Sequence, residues 1–201
     1  MASTATPYGL RAVNELGGLP YAGSTRTFLI DPAGYNVNIF NGSIVRVADT
    51  GYLQIVTTVG STAGDIFPAG TVGVFVGCSF VNAQGQTMYS QYYPANTTGV
   101  VQALVIDDDR TVFQVQAAGT LAQAALGQNA ILNAVQSTST GSTTTGNSST
   151  AISISTGTTA TYGLKIIGFV QSPFSTVGDA YTDVLVKFNI GSHAYNTGTG
   201  I

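Results

Sequence analysis

The chain has 201 residues, of which 44% are hydrophobic and only 7% charged, and its net charge is −3; a typical soluble domain carries about 25% charged residues. That length suffices for one domain with a sizeable core, so a disordered polymer is not the first reading, while six scattered basic residues argue against a nucleic-acid binder, which needs clustered Lys and Arg. A surface so poor in charge is either covered in an assembly or solvated by Ser, Thr, Asn and Gln, and both alternatives point to a structural role.

In chain order, residues 1–25 predict an extended N-terminal arm. Pro7, Gly9, Gly17, Gly18, Pro20 and Gly23 break any helix or long strand. Tyr8, Leu10, Val13, Leu16, Leu19 and Tyr21 are nevertheless too apolar for a free tail, so the arm should dock on the chain's own body or on a neighbouring subunit. Residues 26–201 form a β-rich domain. Short β-type runs at 26–30, 36–40, 43–48 and 52–57 are separated by turn residues, Asn41-Gly42 among them. A second group follows at 72–81, 86–93, 100–106 and 111–117. Strands this short at this spacing predict a mainly β fold, an antiparallel β-barrel or β-sandwich. Asp107, Asp108, Asp109 and Arg110 fit a tight hairpin turn between the last two runs, because Asp side chains cap their own backbone.

Residues 120–127 read as one short helix, with Thr120 able to cap its start and Gly127 its end. Residues 129–135 return to strand. The Ser/Thr/Gly-rich tract 136–161 has no charge, and residues 151–155 within it alternate, which predicts a long, partly ordered hairpin or loop. Residues 162–171 and 182–189 read as closing strands and 195–201 as a Gly-rich tail. The first eight residues lack the features of a signal peptide, no run approaches the ~20 apolar residues of a membrane span, and synthesis in the cytoplasm is expected.

The chemistry-bearing residues do not converge. The single His, His193, lies in a Gly-flanked polar segment, and a catalytic relay needs it held against a nucleophile and a carboxylate. Zinc needs several Cys and His, whereas the chain has one of each, and Cys78 sits in an apolar run as a buried thiol. The three contiguous Asp side chains alternate in direction, which suits neither calcium nor another metal. Gly141 to Ser148 has the glycine spacing of a P-loop, but Asn147 stands where the phosphate-binding Lys belongs. Asp179 and Asp183 would share a strand face only if that strand were regular, so a glycan hydrolase is weakly supported. Alternation places Tyr89, Gln91 and Tyr93 on one face as a sheet core, an interface or a sugar platform. Sequons at Asn41, Asn96 and Asn147 would matter only in a secreted chain. No catalytic, cofactor-binding or metal-binding residue is expected, and no membrane or small-molecule partner.

Several segments resemble a known family: Thr6-Pro7-Tyr8-Gly9-Leu10-Arg11 with Gly23-Ser24-Thr25-Arg26, the run 71–80, Ser90-Gln91-Tyr92-Tyr93-Pro94-Ala95-Asn96, Phe113-Gln114-Val115-Gln116, the run 177–183, and Val186-Lys187-Phe188-Asn189. They are similar to capsid decoration (cement) or minor head structural proteins of tailed bacteriophages, marine and freshwater phages in particular. The resemblance implies a β-rich, commonly trimeric protein on the outer surface of an icosahedral virion, clamping capsomers of the major capsid protein and catalysing nothing. Residues 1–25 are then expected to cross a subunit boundary with Tyr8, Leu10, Leu16 and Tyr21 as anchors, while Arg11 and Arg26 pair with shell carboxylates. A phage fibre or receptor/carbohydrate-binding module is the alternative.

Overall fold

The computed structural model describes residues 4–58, 67–198 and 200. Among these, the alternating segments form β1 (Arg11–Glu15), β2 (Arg26–Ile30), β3 (Ile39–Phe40), β4 (Ile44–Val47), β5 (Leu53–Ile55), β6 (Thr71–Val81) and β7 (Thr87–Ser90). They continue with β8 (Tyr92–Tyr93), β9 (Val101–Ile106), β10 (Thr111–Gln116), β11 (Asn129–Ala130), β12 (Leu164–Phe169) and β13 (Asp183–Phe188). One sheet runs β1-β10-β13-β12-β11; a second runs β2-β9-β6-β4-β5, with β7 also on β6; β3 and β8 form a small third ribbon. The strand pairings are antiparallel. The architecture is a sandwich, and of the two folds the pattern allowed the closed barrel is not formed.

Burial follows the two-residue period of a strand. In β13, Val184, Val186 and Phe188 are buried while Asp183, Leu185 and Lys187 are half-buried. With Phe113, Val115, Leu164 and Ile166 they meet Ile44, Val74 and Ile106 of the second sheet in the inter-sheet core. The second sheet's opposite face, with Phe75, Val101, Ala103 and Val105, packs with Ile39 and Tyr93 of the ribbon. Tyr93 is fully buried, and its hydroxyl donates to the Tyr35 and Thr97 carbonyls and accepts from the Tyr35 N–H.

Several expectations are corrected. Asp107 to Arg110 do not close a hairpin: β9 belongs to one sheet and β10 to the other, so the turn carries the chain across the sandwich. It remains tight, because Asp108 accepts the Arg110 N–H through its carboxylate (2.8 Å) and the Thr111 N–H through its carbonyl (3.1 Å). The short helix is a single 3-10 turn, Gln123–Ala125, with no side-chain cap. Eight residues repay the nucleation cost of a helix poorly, and Thr182 Oγ1 accepts the Leu121 N–H. The run 86–93 breaks at Gln91, where Ser90 Oγ bonds both the N–H and the carbonyl of Tyr92. As a result Tyr89 is 81% exposed and Tyr93 is buried, so they share no platform. The strand at 129–135 shortens to β11.

The tract 136–161 is neither a regular hairpin nor a free loop. Isolated bridges tie it to four places on the body, Asn147 to Asn41, Ile152 to both Ala117 and Leu132, and Gly157 to Asn129. Gln136, Ser148, Thr150 and Ile152 are buried. The Gln136 amide acts as a piece of strand, accepting the Ile44 N–H (2.9 Å) and donating to the Ile44 (3.1 Å) and Val56 (3.0 Å) carbonyls.

Candidate interface beside the first strand

The predicted arm is joined to the body rather than free of it. Thr6 N–H donates to Gln116 Oε1 (2.9 Å), Gln116 Nε2 donates to the Thr4 carbonyl (3.1 Å), and Leu10 N–H donates to the Gly42 carbonyl (3.0 Å). Gly9 has φ +76° and passes so close that a Cβ there would lie 2.8 Å from Gly42 O. Only glycine combines that dihedral with that approach. Residues 11–15 then pair with β10 as the edge strand β1. Backbone pairing satisfies donors and acceptors that an arm reaching to a neighbour would leave to chance.

Leu10 is 1% exposed within the chain's own core, so its expected role as an anchor in a neighbouring subunit is corrected. Arg26 likewise pairs within the chain: its Nε lies 2.9 Å from Asp107 Oδ2, which also accepts the Tyr195 hydroxyl (2.8 Å). Tyr21 is half-buried against the core and donates its hydroxyl to the Ser24 carbonyl (2.6 Å). Tyr8 is half-buried under the Arg11 guanidinium, 4.5 Å from the ring centroid. Burial first, then the Asp183 charge, pushes its hydroxyl pKa up. Leu16 is 40% exposed, and Val13 and Leu19 beside it are exposed too.

Three of the six predicted interface residues, Leu10, Arg11 and Tyr21, come together with Asn41, Val76, Gln91, Ile106 and Asn147 around a cleft of about 460 Å³. Its lining mixes the apolar side chains of Leu10, Ala12, Val76 and Ile106 with three amides, and Arg11 is its one charged residue. Sequence gave Asn41, Gln91 and Asn147 only separate readings, as sequons, a P-loop spacing and a tyrosine face, and did not bring them together, because loops distant in the chain deliver them. The cleft suits an extended segment that offers backbone amides and a carboxylate for Arg11.

Asp179, Asp183 and His193, weighed in sequence for catalysis, each bond within the chain. Asp179 accepts the N–H and hydroxyl of Thr176 (2.8 and 3.0 Å), and Asp183 accepts from Gln114 Nε2 (3.3 Å). Burial pushes the Asp183 pKa up, partly opposed by Tyr8, Gln114 and Arg11. His193, read from sequence as part of a polar tail, is fully buried between Phe188 and Tyr195. Its Nδ1 accepts the Tyr195 N–H (3.2 Å), and burial lowers its pKa against the raising influence of the Val72 backbone and of Asp107, Asp108 and Asp109. Among the described residues no three His, Cys, Asp or Glu side chains gather to hold a metal. Comparison with protein-family models, curated proteins and solved structures gives no significant match to any of them.

Proposed function

We propose that the chain is a structural virion protein that decorates the outer surface of an icosahedral phage capsid and bridges neighbouring capsomers, without catalysing a reaction. The observation that carries this reading is the cleft beside β1. It combines apolar side chains, three amides and one cation, and the neighbouring stretch of chain exposes Val13, Leu16 and Leu19. A surface of that kind suits another protein's chain better than a small molecule. The resemblance of the segments around residues 6–11, 71–80 and 177–183 to decoration proteins supplies the partner, the major capsid protein, and the place, the capsid surface.

The partner contacts are then Arg11 with a shell carboxylate and Leu16 with its exposed neighbours against an apolar strip, while Leu10 and Arg26 hold the platform. The test is occupancy on purified capsids, measured by particle mass and by imaging, for the wild-type chain and for a variant combining Arg11→Glu, Leu16→Asp and Leu19→Asp. These side chains are solvent-facing, so the variant should fold. Occupancy should fall at least tenfold. Undiminished occupancy, or a wild-type chain that never binds capsids, overturns the reading.

A further inference from the structure

The second sheet is longer than its cover. β6 has 11 residues, about 37 Å at ~3.4 Å per residue, while the facing strands β10, β12 and β13 have six each. Val74 opposite Ile106 lies in the inter-sheet core. Further along, the same sheet face continues as Leu104 opposite Gly77, Gln102 opposite Ser79 and Leu29, and Ser79 opposite Tyr89. Val81 and Thr87 form the next row, and Val100 precedes it on the same side by alternation.

On this overhang the face is uncovered. Leu29 (48%), Leu104 (37%), Val81 (55%), Val100 (65%) and Tyr89 (81%) are exposed, and no residue in these rows is charged. β7 has β6 as its only partner strand among the described residues, so its outer edge is unpaired as well. An exposed, uncharged strand edge beside an apolar face is a surface that proteins blunt with Lys or Pro when they need to stay apart; neither residue occurs in β7.

We infer that this overhang is a two-fold interface with a second copy of the chain, in which Tyr89 of each copy fills a groove on the other. Knob and hole are on one surface: beside Tyr89 lies a groove of about 210 Å³ whose lining includes Ser79, Val81, Thr87, Val100 and Gln102. A patch carrying both halves of a fit is self-complementary, and a two-fold axis makes the contact twice. The absence of charge selects the same partner, since near a two-fold axis each charge would face its own copy, whereas a foreign partner would leave room for opposite charges. Four strands ~4.8 Å apart and about five residues deep make the face roughly 20 Å square. Both copies together then lose roughly 800 Å², just under the ~1,000 Å² that a specific stable dimer clears. Dimerisation is therefore weak in solution and is strengthened wherever copies are held at high local density. The symmetry differs from the three-fold assembly implied by the resemblance, and the inference stands independently of any capsid.

The experiment is sedimentation velocity of the isolated full chain across the micromolar range, comparing the wild type with Tyr89→Lys, Val100→Lys and, as a control on another surface, Phe174→Asp. Phe174 is 75% exposed. Circular dichroism confirms that each variant is folded. The wild type and the control should shift from monomer to dimer as concentration rises, and both lysine variants should raise the dissociation constant at least tenfold. A wild type that remains monomeric, one that forms trimers instead, or lysine variants that dimerise like the wild type would each overturn the inference. A wild-type chain that dimerises but never occupies capsids would count against the decoration reading alone.

Discussion

Replacing Gln136 by Leu tests whether one buried amide does the work of a missing strand. Gln136 is 1% exposed and spans from the polar tract to β4, where its side chain takes the Ile44 N–H and supplies the Ile44 and Val56 carbonyls. Leu fills nearly the same volume, so no large cavity opens. The Ile44 carbonyl retains the Val56 N–H (3.0 Å), whereas the Ile44 N–H loses its acceptor and the Val56 carbonyl loses this donor. Each buried backbone group left unpaired costs about 1–3 kcal/mol; the apolar gain of Leu offsets about 1 kcal/mol. A net loss of about 3 kcal/mol follows, which for a chain of this size lowers Tm by about 6–12 °C. Urea unfolding followed by circular dichroism measures it, with the slope unchanged if only stability changes. Gln136→Glu retains the acceptor and keeps one of the two donated bonds at most, and that only while protonated. Burial raises the folded-state pKa of that carboxyl, so the variant should lose further stability as pH rises through that value. A loss below about 1 kcal/mol for Gln136→Leu would refute the role assigned to this amide.

Three further outcomes are expected. His193 has a folded-state pKa lowered from 6.5 by burial, so the unfolded chain binds the proton first and stability should fall as pH drops below about 6.5. The urea midpoint difference between pH 7.5 and pH 5 should shrink in His193→Phe, and an unchanged difference would show that other groups set it. Gly9→Ala forces a side chain into φ +76° and against Gly42 O, which should cost about 2 kcal/mol or more and expose residues 4–10 to proteolysis. Cys78 is 2% exposed and burial pushes its thiol pKa up to about 12. A thiol reagent should therefore leave it unmodified in the native chain at pH 8 and label it promptly in urea; rapid native labelling would contradict its placement in the core.

Sequence alone determined the strand content and the main turns, because two-residue alternation and turn residues act over a few neighbours. Strands 26–30, 101–106, 111–116 and 183–188 were legible within a residue or two. Tertiary structure decided what depends on distant partners. The apolar pattern of residues 10–16 is the same whether it meets a neighbour or β10, and only the free edge of β10 makes it a strand of this chain. The Asp107 to Arg110 turn looks alike within one sheet or between two, since the difference lies in where β13 and β6 are available to pair. His193, in a segment polar by composition, is buried because the sandwich offers Phe188 and the Tyr195 N–H at one point. The cleft beside β1 and the overhang of β6 share that origin: each is the shape left where one sheet ends and the other continues, and no local pattern encodes a difference in length between two sheets.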